Sequence, residues 1–200
     1  MSNTYYPKDI EELISLLKEL PGIGQRGAER MAFCMLKWPE GKLSFLSEKI
    51  SDLHKKIKKC QICGNLCENE LCSICKDSKR DFSIVCILED YTQIPSMEKS
   101  GFKGVYHVLG GKLSPLENKG AEALSLEPLI KRINTGKLTE IILALSQDVE
   151  GQATAIYIAG LMKGKNIRIT TLARGIPAGA DISYANSATI AAAIDGRISI

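Results

Sequence analysis

A multi-part α/β fold is what this sequence predicts, and three observations carry the expectation. The first sixty residues place apolar side chains at helical spacing, five cysteines crowd residues 60–75, and beyond them short apolar runs alternate with helical stretches. Nearly continuous apolar runs are the pattern of strands buried on both faces, hence of a mostly parallel sheet covered by helices. With 200 residues, 44% of them hydrophobic, the chain can bury one generous core or two modest ones.

In the first part, Asp9 is expected to cap a helix whose apolar positions Ile10, Leu13, Ile14, Leu17 and Leu20 follow the 3.6 period. Pro21-Gly22-Ile23-Gly24 stops it. A second helix starts near Arg26 and packs Ala28, Met31, Ala32 and Met35. A third runs from Leu43 to about Ile57 through Leu46, Ile50 and Leu53, and Trp38-Pro39 is expected to close the second helix against the core. Gly22 and Gly24 let the backbone turn tightly and leave free N–H groups at the start of the second helix, where an anion can meet them. This step resembles a helix-hairpin-helix, which grips the DNA backbone without reading bases; a plain αα-hairpin with solvated arginines is the alternative. Arg26 and Arg30 stand four apart and share a helix face, suited to phosphates. Lys55, Lys56, Lys58 and Lys59 form a basic run around His54, a second candidate DNA contact or a solvated face.

The chain has seven cysteines, and MSNTYYPKDIEELI lacks the basic start and the apolar block of a signal peptide. No run is long enough to span a membrane, so the expected compartment is the cytoplasm, where thiols stay reduced and a cysteine cluster points to metal. Cys60, Cys63, Cys72 and Cys75 read C-x2-C-x8-C-x2-C, two knuckles that offer four thiolates to one structural Zn2+ per chain. Cys67 is surplus, because a tetrahedral ion has no fifth place. Cys34 and Cys86, in apolar segments, are expected to be buried. The formal charge of +3 is too small to argue for nucleic acid alone, although the whole excess lies in residues 1–80, with 14 Lys/Arg against 11 Asp/Glu.

Strands are expected at residues 82–88, 105–109, 140–145 and 167–173, with helices near 126–136 and 150–163. Two of the strands end in acids, Glu89 on one and Asp148 with Glu150 on the other, and a parallel sheet binds ligands at the carboxyl ends of its strands. The arrangement resembles the Toprim domain of topoisomerases, primases and certain nucleases, where a Glu and a D-x-D followed by x-E-G hold magnesium. Ser146 stands in the place of the first aspartate. A serine brings no charge, so the sequence argues against Mg2+ at these acids and for a retained surface. His107, in VYHVL, is expected to be a satisfied, partly buried histidine and no ligand, and the tyrosines form no base-stacking platform.

The order of parts resembles the RecR family of recombination mediators from about Ile10 to Arg197, in LPGIGQRGAERMAF, the cysteine spacing, HVLGGKLSPL, VEGQATAIYIAGL, GIPAGAD and the closing DGR. Departures are Asn118-Lys119-Gly120-Ala121 in a loop that usually carries glycine and proline, Arg174 for a histidine, and Asn186-Ser187 where acids are usual. The resemblance implies a helix-hairpin-helix DNA-binding region (1–57), a four-cysteine zinc finger (58–79), a Toprim domain (80–175) and a C-terminal Walker B-like segment and oligomerisation tail (176–200). It implies a protein that is not an enzyme, acting in recombinational repair through the RecF–RecO–RecR pathway, clamping single-stranded, gapped or duplex DNA and helping load the recombinase. Its partners would be RecO, RecF and further copies of itself, as a homodimer or ring-like homotetramer, with no membrane. Arg26, Arg30, Gly22, Gly24, Lys55 and Lys56 would meet DNA, and Glu89, Asp148 and Glu150 a basic partner surface. Two other classes stay open: a Toprim metal-dependent nuclease or primase-like enzyme, and a zinc-stabilised scaffold that binds no DNA.

Overall fold

The computed structural model describes residues 5–114 and 119–198, and the chain divides into two compact units, Met1–Lys56 and Ile57–Ile200. The first contains α1 (Lys8–Lys18), α2 (Gln25–Met35) and α3 (Glu40–Lys56). Ile14 of α1 meets Ala28 and Ala32 of α2, with Ile10, Leu13, Leu17 and Ile23 around them. Two alanines one turn apart allow the helix backbones to approach closely, at the cost of a small core.

Four expectations need correction here. Pro7, not Asp9, occupies the N-cap; Asp9 lies inside the first turn, where its charge still favours the positive end of the helix. Cys34 is exposed, because it sits two residues past Ala32 and so on the far side of α2. Met31 stays 40% exposed, while Met35 lines a groove with α1 and α3. Trp38 is only half-buried, and its ring lies 3.7 Å beneath the Lys42 ammonium. No residue of α3 is fully buried; Ile50 and Leu53 are more than half exposed, on or beside an apolar groove of about 550 Å³. A unit this small has too little interior to cover every apolar face.

The second unit opens with the short antiparallel pair β1 (Lys58–Lys59) and β2 (Leu66–Cys67), followed by α4 (Ser73–Lys76). Then come β3 (Asp81–Leu88), α5 (Ile94–Lys99), β4 (Gly104–Val108), α6 (Glu127–Asn134), β5 (Glu140–Ala144), α7 (Val149–Leu161), β6 (Arg168–Thr171) and α8 (Ser187–Asp195). The four long strands form one sheet of order β4-β3-β5-β6, parallel throughout. Val85, Ile87, Val105 and Ile141 are fully buried in it, as their uninterrupted apolar runs require. At its foot Tyr106 donates to Glu98 at 2.6 Å, and Arg80 holds the same carboxylate. Asn186 caps α8 by accepting from the Thr189 N–H at 2.8 Å, which gives this departure from the family pattern a local structural role. Pro115, Leu116 and Asn118 of the quoted motifs lie outside the described residues.

Candidate functional site

The cysteine cluster is built by two tight turns. In the first, the Gly64 N–H donates to the Cys60 carbonyl at 2.9 Å and the Cys60 N–H to Asn65 at 2.7 Å; in the second, Cys72 caps α4 and its sulfur accepts from the Cys75 N–H. The four sulfurs of Cys60, Cys63, Cys72 and Cys75 lie within 4.8 Å of one another, and those of Cys63 and Cys72 are 3.6 Å apart. A tetrahedron with Zn–S bonds of about 2.3 Å has sulfur–sulfur edges of about 3.8 Å, so the cradle fits zinc. All four are buried, and the Cys75 thiol is held down to about 6 by hydrogen bonding from Cys63, which is itself pushed up. A set of thiols already shaped to stabilise a thiolate is a structural zinc site. Cys67 stands apart, its thiol donating to the Asn69 carbonyl at 2.8 Å. Cys86, pushed up to about 12 by burial, is an inert packing residue.

The finger rests on the sheet within the same unit. The Val108 N–H of β4 donates to the Cys63 carbonyl at 2.7 Å, and a Cβ on Gly64 would lie 3.0 Å from the Val108 carbonyl oxygen. His107 beside it is fully buried, its Nε2 2.6 Å from the Ser125 carbonyl. The expectation of a satisfied, partly buried histidine is half corrected, since Nδ1 makes no hydrogen bond among the described residues.

At the carboxyl ends of β3 and β5 the acids are each engaged by a different group. Glu89 accepts from the Ser146 N–H at 2.5 Å and from its hydroxyl at 2.9 Å. Asp148 caps α7, accepting from the Gly151 N–H at 2.7 Å, and faces the Lys112 ammonium at 2.5 Å. Glu150 accepts from the Ser114 hydroxyl and lies 3.7 Å from the same ammonium. Lys112 holds Asp148 below the usual carboxylate range and is itself pushed up by Asp148. Glu89, Lys112, Ser114 and Glu150 line one recess of about 460 Å³. Among the described residues the four cysteines are the only group of three or more Cys, His, Asp or Glu side chains close enough to share a metal ion. Sequence reasoning missed Lys112 and Ser114, because nothing in GGKLS announces which distant acids it faces. The buried Thr154 ties this loop down, accepting from the Leu113 N–H at 2.9 Å and donating to the Glu150 carbonyl at 2.7 Å.

In the first unit Gly22 has φ of 81°, a left-handed turn that favours glycine, and Gly24 caps α2 without any side-chain hydrogen bond. The first N–H groups of α2 therefore lack an intrahelical partner, and a Cβ on Gly22 or Gly24 would meet nothing within 4 Å. Arg26 and Arg30 are exposed and form no ion pair among the described residues. Lys55 and Lys56 are less free than their sequence suggests: both reach back to Asp52, at 3.8 and 2.6 Å.

Comparison with known proteins follows this division. Residues 10–54 match the family model for the RecR helix-hairpin-helix, 57–77 that for the RecR four-cysteine zinc finger domain, 83–173 that for a Toprim domain and 175–198 that for the RecR C-terminal region. Proteins named Recombination protein RecR from Moorella thermoacetica, Bifidobacterium longum subsp. infantis and Tropheryma whipplei are 41%, 40% and 39% identical. Each alignment covers 96% of this chain and 96–98% of the relative. The chain belongs to the RecR family. Against that family, the zinc cradle and the recess of Glu89, Lys112, Ser114 and Glu150 fall in the finger and the Toprim domain respectively. No helix among the described residues is long and apolar enough to cross a membrane.

Proposed function

We propose that this chain is a non-enzymatic recombination mediator in recombinational DNA repair, clamping DNA at single-stranded gaps and helping load the recombinase through the RecF–RecO–RecR pathway of the cytoplasm. Membership of the RecR family over nearly the whole chain supports the mediator. The observation that carries the non-enzymatic reading is at the Toprim acids. Ser146 stands where a further carboxylate would be and binds Glu89, while Lys112 puts an ammonium against Asp148 and Glu150. Acids held this way present negative charge to a basic protein surface, and RecO is the partner we assign to Glu89, Asp148 and Glu150.

The division of labour runs as 1–57 for DNA contact, 58–79 for the finger, 80–175 for the Toprim surface and 176–200 for the tail. Phosphates meet the α2 N-terminus at Gly22 and Gly24, flanked by Arg26 and Arg30, with Lys55 and Lys56 as weaker contacts. Homodimers or a ring-like homotetramer fit the apolar side chains left exposed along α3 and the tail, among them Ile50, Leu53, Ile182, Tyr184 and Ile194.

The test is a labelled gapped duplex incubated with the protein, with and without Mn2+, scored by anisotropy and then on a denaturing gel. Salt-sensitive binding with intact DNA is expected. Metal-dependent cleavage abolished by Asp148→Asn would make the chain an enzyme, and no binding at low salt would leave a scaffold.

A further inference from the structure

Arg132 lies on the face of α6 beside the core residues Leu129 and Ile133, and no ion pair holds it among the described residues. One guanidinium nitrogen, Nη1, donates to the Tyr106 carbonyl at 3.0 Å. The other, Nη2, is buried and has no hydrogen-bond partner, and no carboxylate pairs with the side chain among the described residues. Its neighbour Lys131 turns outward to Glu127 at 2.6 Å, so helix sequence alone does not force the arginine inward. A half-buried charge left unpaired is costly, and an orphaned donor adds to the cost.

The surroundings supply the missing charge. Arg132 lines a recess of about 340 Å³ with Gln61 and Ile62, the two residues inside the first cysteine knuckle. Its hydrogen-bond acceptor, Tyr106, is two residues before Val108, whose N–H holds the Cys63 carbonyl. A zinc ion with four thiolates is a dianion, here buried at the edge of an apolar core.

We propose that Arg132 is a positioning residue of the zinc centre: its fixed, half-buried positive charge offsets the tetrathiolate and keeps zinc bound. Outer-shell partners of this kind change metal retention without touching the metal.

Zinc release from the intact chain to a chelating indicator under native conditions tests this, together with the charge-transfer absorption of the cobalt-substituted protein. Arg132→Gln, which keeps a donor but no charge, should release zinc about tenfold faster or more. Arg132→Lys, which keeps the charge but loses the planar fork, should release it at nearly the wild-type rate. Release from Arg132→Gln at the wild-type rate, or from Arg132→Lys as fast as from Arg132→Gln, overturns the proposal. Should Arg132→Gln not fold, Gln61→Glu against Gln61→Ala decides the matter at an exposed position. A carboxylate in the recess draws the guanidinium away and should speed release, and equal rates in the two variants overturn it.

Discussion

Ser146 grips Glu89 through both its backbone and its side chain, the N–H on one carboxylate oxygen at 2.5 Å and the hydroxyl on the other at 2.9 Å. The residue that the Toprim resemblance sets in the place of a metal-binding aspartate thus satisfies a carboxylate with hydrogen-bond donors. Ser146→Asp replaces the hydroxyl bond with a like-charge contact and is expected to destabilise the fold by about 1 kcal/mol or more. Added Mn2+ should then raise the melting temperature of the variant by binding its native state and leave that of the wild type in place. An equal rise in both proteins would mean that the native acids already take a divalent ion.

Gly151 lies against the same residue from the other side. A Cβ there would stand 2.1 Å from the Ser146 carbonyl oxygen, which is backbone and has no rotamer to escape by. Gly151→Ala should therefore push the first turn of α7 away from β5, cost about 1–3 kcal/mol in a urea titration, and loosen Asp148 and Glu150 together. Gly160→Ala is the control within α7, since a Cβ there meets nothing within 4 Å and alanine favours the helix. If both substitutions shift the urea midpoint alike, the close approach at Gly151 does not constrain the turn.

Much of this was legible in the sequence, for identifiable reasons. The strands at β3, β4 and β5 announced themselves because a sheet covered on both faces needs apolar residues on both, and DFSIVCIL and EIILA have them. The zinc ligands were legible because knuckle spacing is local. Cys34 was misread because apolar neighbours in sequence do not fix which face of a helix a residue takes; the short Ala28–Ala32 seam decided that. Lys112, Ser114 and Arg132 were invisible for a different reason. Their partners lie far away in sequence, at Asp148, at Glu150 and, for Arg132, at Tyr106. Only the parallel crossovers bring them together.

Arg26 and Arg30 form no ion pair among the described residues, and each phosphate contact adds about one to the slope of log K against log salt. Arg26→Ala with Arg30→Ala should weaken DNA binding and lower that slope by roughly two, with little change in preference among DNA sequences. Lys55→Ala with Lys56→Ala should change it less, because Asp52 already faces both lysines. Anisotropy titrations at several salt concentrations distinguish the pairs. An unchanged slope in the arginine variant would remove the hairpin as the clamp.

Zinc removal should be felt beyond the finger, because the Cys63 carbonyl and Gly64 sit directly on Val108. In hydrogen exchange, a chelator is expected to deprotect residues 58–76 first and then the amide of Val108, while β5 stays protected. Loss of protection in β5 at the same chelator concentration would mean that finger and sheet unfold as one.

His107 makes the stability of the second unit depend on pH. Burial pushes its imidazole down to about 4 from an ordinary 6.5, outweighing the Ser125 carbonyl that favours the charged form, with Arg132 adding in the same direction as burial. Between those values the unfolded chain takes a proton that the folded chain refuses, so stability rises with pH there. The contribution is complete above about 6.5 and is lost as pH falls toward about 4. From about pH 7.5 to about pH 5 the loss comes to about 2 kcal/mol. His107→Gln removes the titration but keeps a donor for Ser125. The variant should start less stable than wild type near neutrality, and the gap between the two unfolding free energies from urea titration should close by about 2 kcal/mol on acidification. Effects of acid on the cysteines are common to both proteins and cancel in that difference. A gap that stays constant over the range would mean that His107 carries the same charge folded and unfolded.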